Sequence, residues 1–466
     1  TALPLRRGIP EPPGFPKRQM PLAGLSIGKR SALLLDKENM TKYSISPMSS
    51  LYELYLRHPR ISTDSRRIEP DSVFFALRGA SFDGNRFAAD ALEKGAAYAV
   101  VDDPSLPNTR PDKADRLIVV DDALQTLQAL AREHRRELGL PILAITGSNG
   151  KTTTKELVSR VLAEKYEVYA TRGNLNNHIG VPLTLLAMTR DVEFGIVEMG
   201  ASACGEIALL CSIAEPNYGI VTNIGRAHLE GFGGPEGVRR GKGELYDWLA
   251  RTGGRVFVPA NDPVLMSMAA ERETLAAECY PTTLADGVEH HLEGDYNRFN
   301  VAAAVAVGRY FGVDDERIRY AVGSYRPDNH RSQKIRTGQN TLILDCYNAN
   351  PSSMQASLVN FRQEPLEGCT RKILILGDML ELGDWSDAEH RHIISLAAEI
   401  PDARILLVGP HFAKAYRSLE SRPADTTLYP SQEVLAAELR KHPVSQALIL
   451  VKGSHSIGLE RLADLL

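Results

Sequence analysis

The chain has 466 residues, of which 43% are hydrophobic and 24% charged, with a net charge of -4. This balance fits an ordinary globular protein and excludes a nucleic-acid binder held mainly by phosphate contacts. No apolar run reaches the roughly 18 residues needed to span a bilayer, and at roughly 150 residues per domain the length suggests about three domains.

Residues 1–39 carry Pro-Glu-Pro-Pro-Gly, several Arg and Lys, and one apolar patch, Ala32-Leu33-Leu34-Leu35. The patch is too short for a signal-peptide core, so a disordered extension is expected, with Met40 as an alternative start of the folded protein. A first α/β domain is expected over 40–122. Residues 72–77 read as a strand ended by Arg78-Gly79, 87–94 as a helix stopped by Gly95, and 96–101 and 117–120 as further strands. Over 121–138, Leu124, Leu127, Ala131 and Leu138 recur at helical spacing with His134 on the same face. This helix bridges into a second domain, expected over 123–326.

That domain opens on the most informative run in the chain. The apolar strand residues Leu143-Ala144-Ile145 lead into Thr146-Gly147-Ser148-Asn149-Gly150-Lys151-Thr152-Thr153-Thr154 and then a helical pattern. Backbone N–H groups and the positive end of a helix dipole suit a triphosphate there. Lys151 supplies a point charge, and Thr152 a hydroxyl for Mg²⁺. The spacing departs from the ordinary P-loop, because Gly147 and Gly150 enclose only two residues. Short apolar strands follow at 194–198, 218–223 and 255–258, with helical stretches between them, so the domain is doubly wound with ligands at the carboxyl ends of its strands. A third domain is expected over 327–466. Its strands, 341–344, 372–376, 404–408 and 447–451, end respectively in Asp345, Gly377-Asp378, Gly409-Pro410 and Lys452-Gly453-Ser454, a second open parallel sheet of Rossmann type.

Five cysteines lie without CxxC spacing: Cys204, Cys211, Cys279, Cys346 and Cys369. They point to a reducing, cytoplasmic setting. Cys204 and Cys211 fall two helical turns apart and read as packing rather than a metal pair.

Several side chains stand where chemistry is expected. Glu198 ends a strand beside the phosphate loop, a good position for a carboxylate on Mg²⁺. His228 follows another strand end, but its spacing alone favours a hydrogen-bonded structural histidine, since Mg²⁺ prefers oxygen. Lys242 reads either as a solvated helix charge or as a nucleophile whose pKa is lowered by burial or by neighbouring cations, and nothing local chooses between them. Asp64-Ser65-Arg66 and Phe82-Asp83-Gly84-Asn85 are polar turns beside strands. Asp345-Cys346-Tyr347-Asn348-Ala349-Asn350-Pro351 is a dense polar cluster directly after a buried strand.

These blocks together resemble the Mur ligase family. They are Thr63-Asp64-Ser65-Arg66, the short phosphate loop, Gly173-Asn174-Leu175-Asn176-Asn177-His178, Val197-Glu198-Met199-Gly200, Ala227-His228-Leu229-Glu230, Tyr347-Asn348-Ala349-Asn350-Pro351 and Lys452-Gly453-Ser454. The resemblance runs in order over about 48–466. The GNLNN and YNANP blocks favour the branch that joins D-alanyl-D-alanine to a UDP-N-acetylmuramoyl-tripeptide.

The resemblance implies ATP as cofactor, two Mg²⁺ ions, an acyl phosphate intermediate and a monomeric cytoplasmic enzyme of peptidoglycan precursor synthesis. It implies that Asp64, Ser65 and Arg66, with Gly79, Asp83 and Gly84, hold the UDP end of the substrate. Gly147, Ser148, Asn149, Gly150, Lys151, Thr152 and Thr153 would cradle the phosphates. Thr152, Glu198 and His228 would serve the metals, and Lys242 matches a position that can be carbamylated. Asn297 and Asn300 would lie beside adenine, Arg331 would reach the phosphates, and Asp345 would orient the ribose. Asn174, Asn176 and Asn177 belong to the substrate side, and Asn348, Asn350, Lys452 and Ser454 to the incoming dipeptide. Tyr296 stands where the family often has His, and His178 replaces an acidic residue seen in some relatives.

Two other readings compete. One is a different amide ligase of the same superfamily, adding a single amino acid or acting on folate; the YNANP block and the Asp64-Ser65-Arg66 domain argue against folate. The other is a catalytically silent nucleotide-binding regulator, against which stand Lys151, Thr152, Glu198, His228 and Lys242 together.

Overall fold

A computed structural model describes residues 47–327 and 333–466. The expected disordered extension at 1–39, the alternative start at Met40 and the phosphate contact of Arg331 lie outside the described residues. Three open sheets succeed one another along the chain. The first is fully parallel, in the order Ile61–Ser62, Val73–Phe75, Tyr98–Val101, Leu117–Val119. The expected strand at 72–77 is shorter, because Arg78–Gly79 turns away to pair antiparallel with Phe82–Asp83.

The central sheet is also parallel, in the order Ala276–Tyr280, Arg255–Pro259, Tyr218–Val221, Ile142–Thr146, Phe194–Glu198, Val168–Ala170. Strand order reverses around Ile142–Thr146, the point where open α/β sheets form a ligand crevice. Register then sets the site: Thr146 lies beside Val221 and Ile145 beside Glu198. The phosphate loop, Glu198 and Thr222-Asn223 therefore leave the sheet at one level. Alternation divides the strand between the two faces, with Ala144 joining one core cluster and Leu143 and Ile145 the other.

The third sheet runs Gln333–Arg336, Thr341–Leu344, Ala447–Lys452, Arg371–Gly377, Ala403–Val408, Thr426–Tyr429. It is parallel except that Gln333–Arg336 pairs antiparallel with its neighbour. The expected all-parallel sheet is thus corrected at one edge. Both outer units share core with the centre. Val73, Phe75 and Val100 pack into the same cluster as Ala144 and Val197, while Leu229, Phe232 and Val238 pack with Leu374, Met379 and Leu382. The bridging helix is Ala123–Leu138, capped by the Asp122 side chain at its start and by Gly139 in the left-handed region at its end.

Cys204 precedes the Glu206–Ala214 helix, whereas Cys211 is buried inside it against Met199 Sδ at 3.9 Å. All five thiols are free. No helix among the described residues is long and apolar enough to cross a membrane.

Candidate active site

A cavity of about 830 Å³ opens at the carboxyl ends of the central strands and is closed from the other side by the C-terminal unit. That is the size expected of a small-molecule site. Its lining includes Ser148, Asn149, Gly150, Lys151 and Thr153, then Asn176, Asn177, Glu198 and His228, then Asn297 and Asn300, and from the third sheet Asp345, Asn348 and Lys452.

The phosphate loop is held tight by the neighbouring strand end. Ser148 N donates to Asn223 O at 3.1 Å, and Asn149 N donates to Asn223 Oδ1 at 3.1 Å. These two amides are therefore engaged within the protein rather than facing an anion. The donors left for phosphate are those of the first turn of the Lys151–Ala163 helix, where N–H groups have no intrahelical acceptor. Both glycines of the loop have a steric cause. Gly147 has φ +137 and a Cβ there would sit 2.0 Å from Thr222 Oγ1; Gly150 has φ +79 and a Cβ there would sit 2.7 Å from Asn300 Oδ1. Lys151 folds back over the loop, with Nζ donating to Gly147 O at 2.8 Å and Ser148 O at 3.2 Å.

Glu198 is 2% exposed. Its Oε1 accepts from Thr152 Oγ1 at 3.2 Å and Asn176 Nδ2 at 2.8 Å. Its Oε2 is buried with no hydrogen-bond partner among the described residues. An unsatisfied buried acceptor costs about 1–3 kcal/mol, and more when charged, so this oxygen is suited to a cation. His228 lines the cavity in a left-handed conformation, φ 52, and its Nδ1 is hydrogen-bonded to Glu381. Burial holds its imidazole below the ordinary range, against the opposing pull of Glu381.

Lys242 is buried, not a solvated helix charge. It is 1% exposed on the Pro235–Thr252 helix. Nζ donates to Ala201 O at 3.1 Å and lies 5.1 Å from the Phe232 ring centroid. Burial, helped by the Lys151 charge, pushes its pKa down to about 7.

The remaining candidates lie on the central unit, on the C-terminal unit and, as a third group, in the first domain. Asn297 and Asn300 are buried at the start of the Asn297–Tyr310 helix and bonded to one another, and Asn300 Oδ1 accepts from Thr154 Oγ1 at 3.0 Å. Asn177 Oδ1 accepts from Ile179 N and Gly180 N, whereas Asn174 is exposed and outside the cavity lining. On the C-terminal side Asp345 and Lys452, given separate roles above, form one ion pair, and Ser357 Oγ also donates to Asp345. Asn348 lines the cavity. Asn350 caps the Pro351–Gln363 helix, and its Nδ2 donates to Asn149 Oδ1 at 2.7 Å. Ser454 is buried away from the cavity lining, accepting from Leu380 N.

The third group stays apart. Asp64, Ser65, Arg66, Gly79, Asp83 and Gly84 do not line this cavity. Arg66 donates to both oxygens of Asp64, Ser65 O accepts from Lys94 Nζ, and Asp83 caps the short Gly84–Phe87 turn. Two contributors escaped sequence reasoning. Asn223 pins the loop, and Glu381 sits 153 residues from its partner His228. No local pattern marks either one.

Profiles for "Mur ligase family, catalytic domain", "Mur ligase middle domain" and "Mur ligase, glutamate ligase domain" match residues 59–135, 145–283 and 330–455. The chain is 34% identical over 432 residues to the UDP-N-acetylmuramoyl-tripeptide--D-alanyl-D-alanine ligase of Bacillus subtilis, covering 86% of this chain and 92% of the relative. A crystal structure of MurF from Acinetobacter baumannii superposes with TM-score 0.76 at 30% identity, covering 87% of this chain and 93% of that one. The MurF ligase of Thermotoga maritima in complex with ADP superposes with TM-score 0.74 at 25% identity, covering 88% and 97%. With three profiles in chain order and a relative shared over nearly its whole length, the chain belongs to the Mur ligase family.

Proposed function

We propose that the chain joins D-alanyl-D-alanine to the terminal carboxylate of a UDP-N-acetylmuramoyl-tripeptide, using ATP and passing through an acyl phosphate. The observation that carries this reading is the convergence of Lys151, the first-turn amides and the half-satisfied Glu198 in one cavity. The relatives' names supply the substrates. The reaction must bring two anions, a carboxylate and a γ-phosphate, into line. Lys151 and the helix N-terminus offset that repulsion, and the cavity wall on the C-terminal side holds the nucleotide against them.

The residues present fit Mg²⁺: Glu198 Oε2 with the Thr152 hydroxyl would hold one ion, and a carbamylated Lys242 with His228 a second. Bound there, the metal neutralises charge developing on the phosphates. The buried, weakly basic amine of Lys242, with one carbonyl partner, favours carbamate formation. A carbamate resonance after ¹³C-bicarbonate labelling is expected in the parent and absent from Lys242→Arg; its absence from the parent would remove that ligand. The first domain, with Asp64, Ser65 and Arg66, is assigned the UDP end. The cytoplasm is assigned as the site of action, in keeping with five free thiols. Phosphate release measured with the tripeptide substrate, with and without D-alanyl-D-alanine, tests the activity. Release that does not depend on the dipeptide would overturn it.

A further inference from the structure

One contact between the central and C-terminal units touches the candidate metal site. The segment after the Arg371–Gly377 strand lies on the short helix Leu229–Phe232. Glu381 O accepts from Glu230 N at 3.2 Å. A Cβ on Gly383 would come within 3.2 Å of the Glu230 side chain, and Leu382 is buried in one cluster with Leu229 and Phe232. On this platform a Glu381 carboxylate oxygen meets His228 Nδ1.

Both partners are held in the left-handed region, His228 at φ 52 and Glu381 at φ 60. Residues with side chains adopt that conformation rarely, and it persists where the surroundings over-determine it. The Glu381 side chain is 59% exposed, and a bare surface ion pair of that kind holds little by attraction alone. Packing and backbone geometry therefore set the contact. An acceptor at Nδ1 places the ring proton there and leaves the lone pair on Nε2. Nε2 has no hydrogen bond among the described residues, and His228 lines the cavity with Lys151 and Glu198.

We propose that Glu381 is a positioning residue for His228: from the C-terminal unit it fixes the Nδ1–H tautomer and presents Nε2 to a divalent cation beside the nucleotide. Docking of the C-terminal unit then orients a ligand of a metal site whose ligands all belong to the central unit. Carboxylate partners of this kind orient metal-bound histidines and raise their basicity. The inference rests on the functional reading above only for the presence of nucleotide and metal.

The test compares the parent with E381A and E381Q. Two quantities are read: Mn²⁺ affinity of the complex with a non-hydrolysable ATP analogue, from the free-Mn²⁺ electron resonance signal, and the ring ¹⁵N shifts of His228. The parent should show the Nδ1–H tautomer. E381A should bind Mn²⁺ about 10–100-fold more weakly. E381Q, whose amide oxygen still accepts, should stay within about threefold of the parent. An Nε2–H tautomer in the parent overturns the proposal, as does E381A affinity within about twofold of the parent, or equal loss in both variants. Should E381A fail to fold, the parent's tautomer decides. Neither readout needs turnover, so a failure of dipeptide-dependent ligation would strike the functional reading and leave this one standing.

Discussion

The two ends of the assigned substrate path are built differently. At the loop end, chain-distant groups are buried and incompletely satisfied: Glu198 has an orphan oxygen and Lys242 one carbonyl. In the first domain the candidate carboxylates are only half-buried and have local partners, Arg66 for Asp64 and Asn85 for Asp83. Arg66 is 87% exposed and bonded to Asp64, whose carboxyl it holds at about 2, well below the usual range. Buried polar groups without partners are costly and point to something that completes them. Partly exposed groups with local partners carry no such signal. The contrast makes the loop end a prebuilt site, while the first domain offers a surface whose side chains would exchange partners on binding.

The largest expected effect belongs to the loop. Lys151→Ala should lower dipeptide-dependent phosphate release by at least about 10²-fold, with the thermal midpoint nearly unchanged. Near-parental turnover would place the triphosphate elsewhere and dissolve the contrast. Next, Glu198→Gln should raise the Mg²⁺ concentration for half-maximal activity by about tenfold or more. The same change removes a buried charge, so unfolding should occur at an equal or higher denaturant concentration. A destabilised variant with normal Mg²⁺ dependence would mark Glu198 as structural.

A smaller effect concerns the junction between the two regions. His134 is buried, with Tyr52 and the Met188 carbonyl on its ring nitrogens. Burial lowers its pKa in the folded state. The unfolded chain therefore binds more protons below about 6.5. Stability from this group is full above that pH and declines as pH falls below it. Urea midpoints at pH 7.5 and 5.5 should differ in the parent and differ less in His134→Gln; equal differences would exclude His134 as a source. The smallest change is expected for Arg66→Ala: an unaltered unfolding midpoint and a modest rise in KM for the UDP substrate. An unchanged KM would show that the exposed pair has no part in binding.

How much of this was legible follows from burial. The strands at 194–198, 341–344 and 447–451 are buried throughout and appear in the sequence as continuous apolar runs. Ile61–Ser62, Ala276–Tyr280, Gln333–Arg336 and Thr426–Tyr429 carry no such run, and each lies at a sheet edge with partly exposed residues. The phosphate loop was readable because all its parts are contiguous. The Asp345–Lys452 pair was not, because it joins the ends of two strands 107 residues apart. Separate motifs were visible there, but only strand order shows that they meet. Lys242 gave no local sign of burial, since its depth depends on Phe232 and Ala201 from other elements.

The shared cores have a thermodynamic consequence. Val73 and Phe75 of the first sheet and Leu382 of the C-terminal unit each complete a cluster that includes central residues. The central unit loses packed neighbours whenever either flank opens, so its unfolding is coupled to both. Heating should then melt the chain in fewer calorimetric transitions than its three sheets suggest. Cutting the chain between sheets would leave fragments with exposed apolar faces rather than autonomous domains.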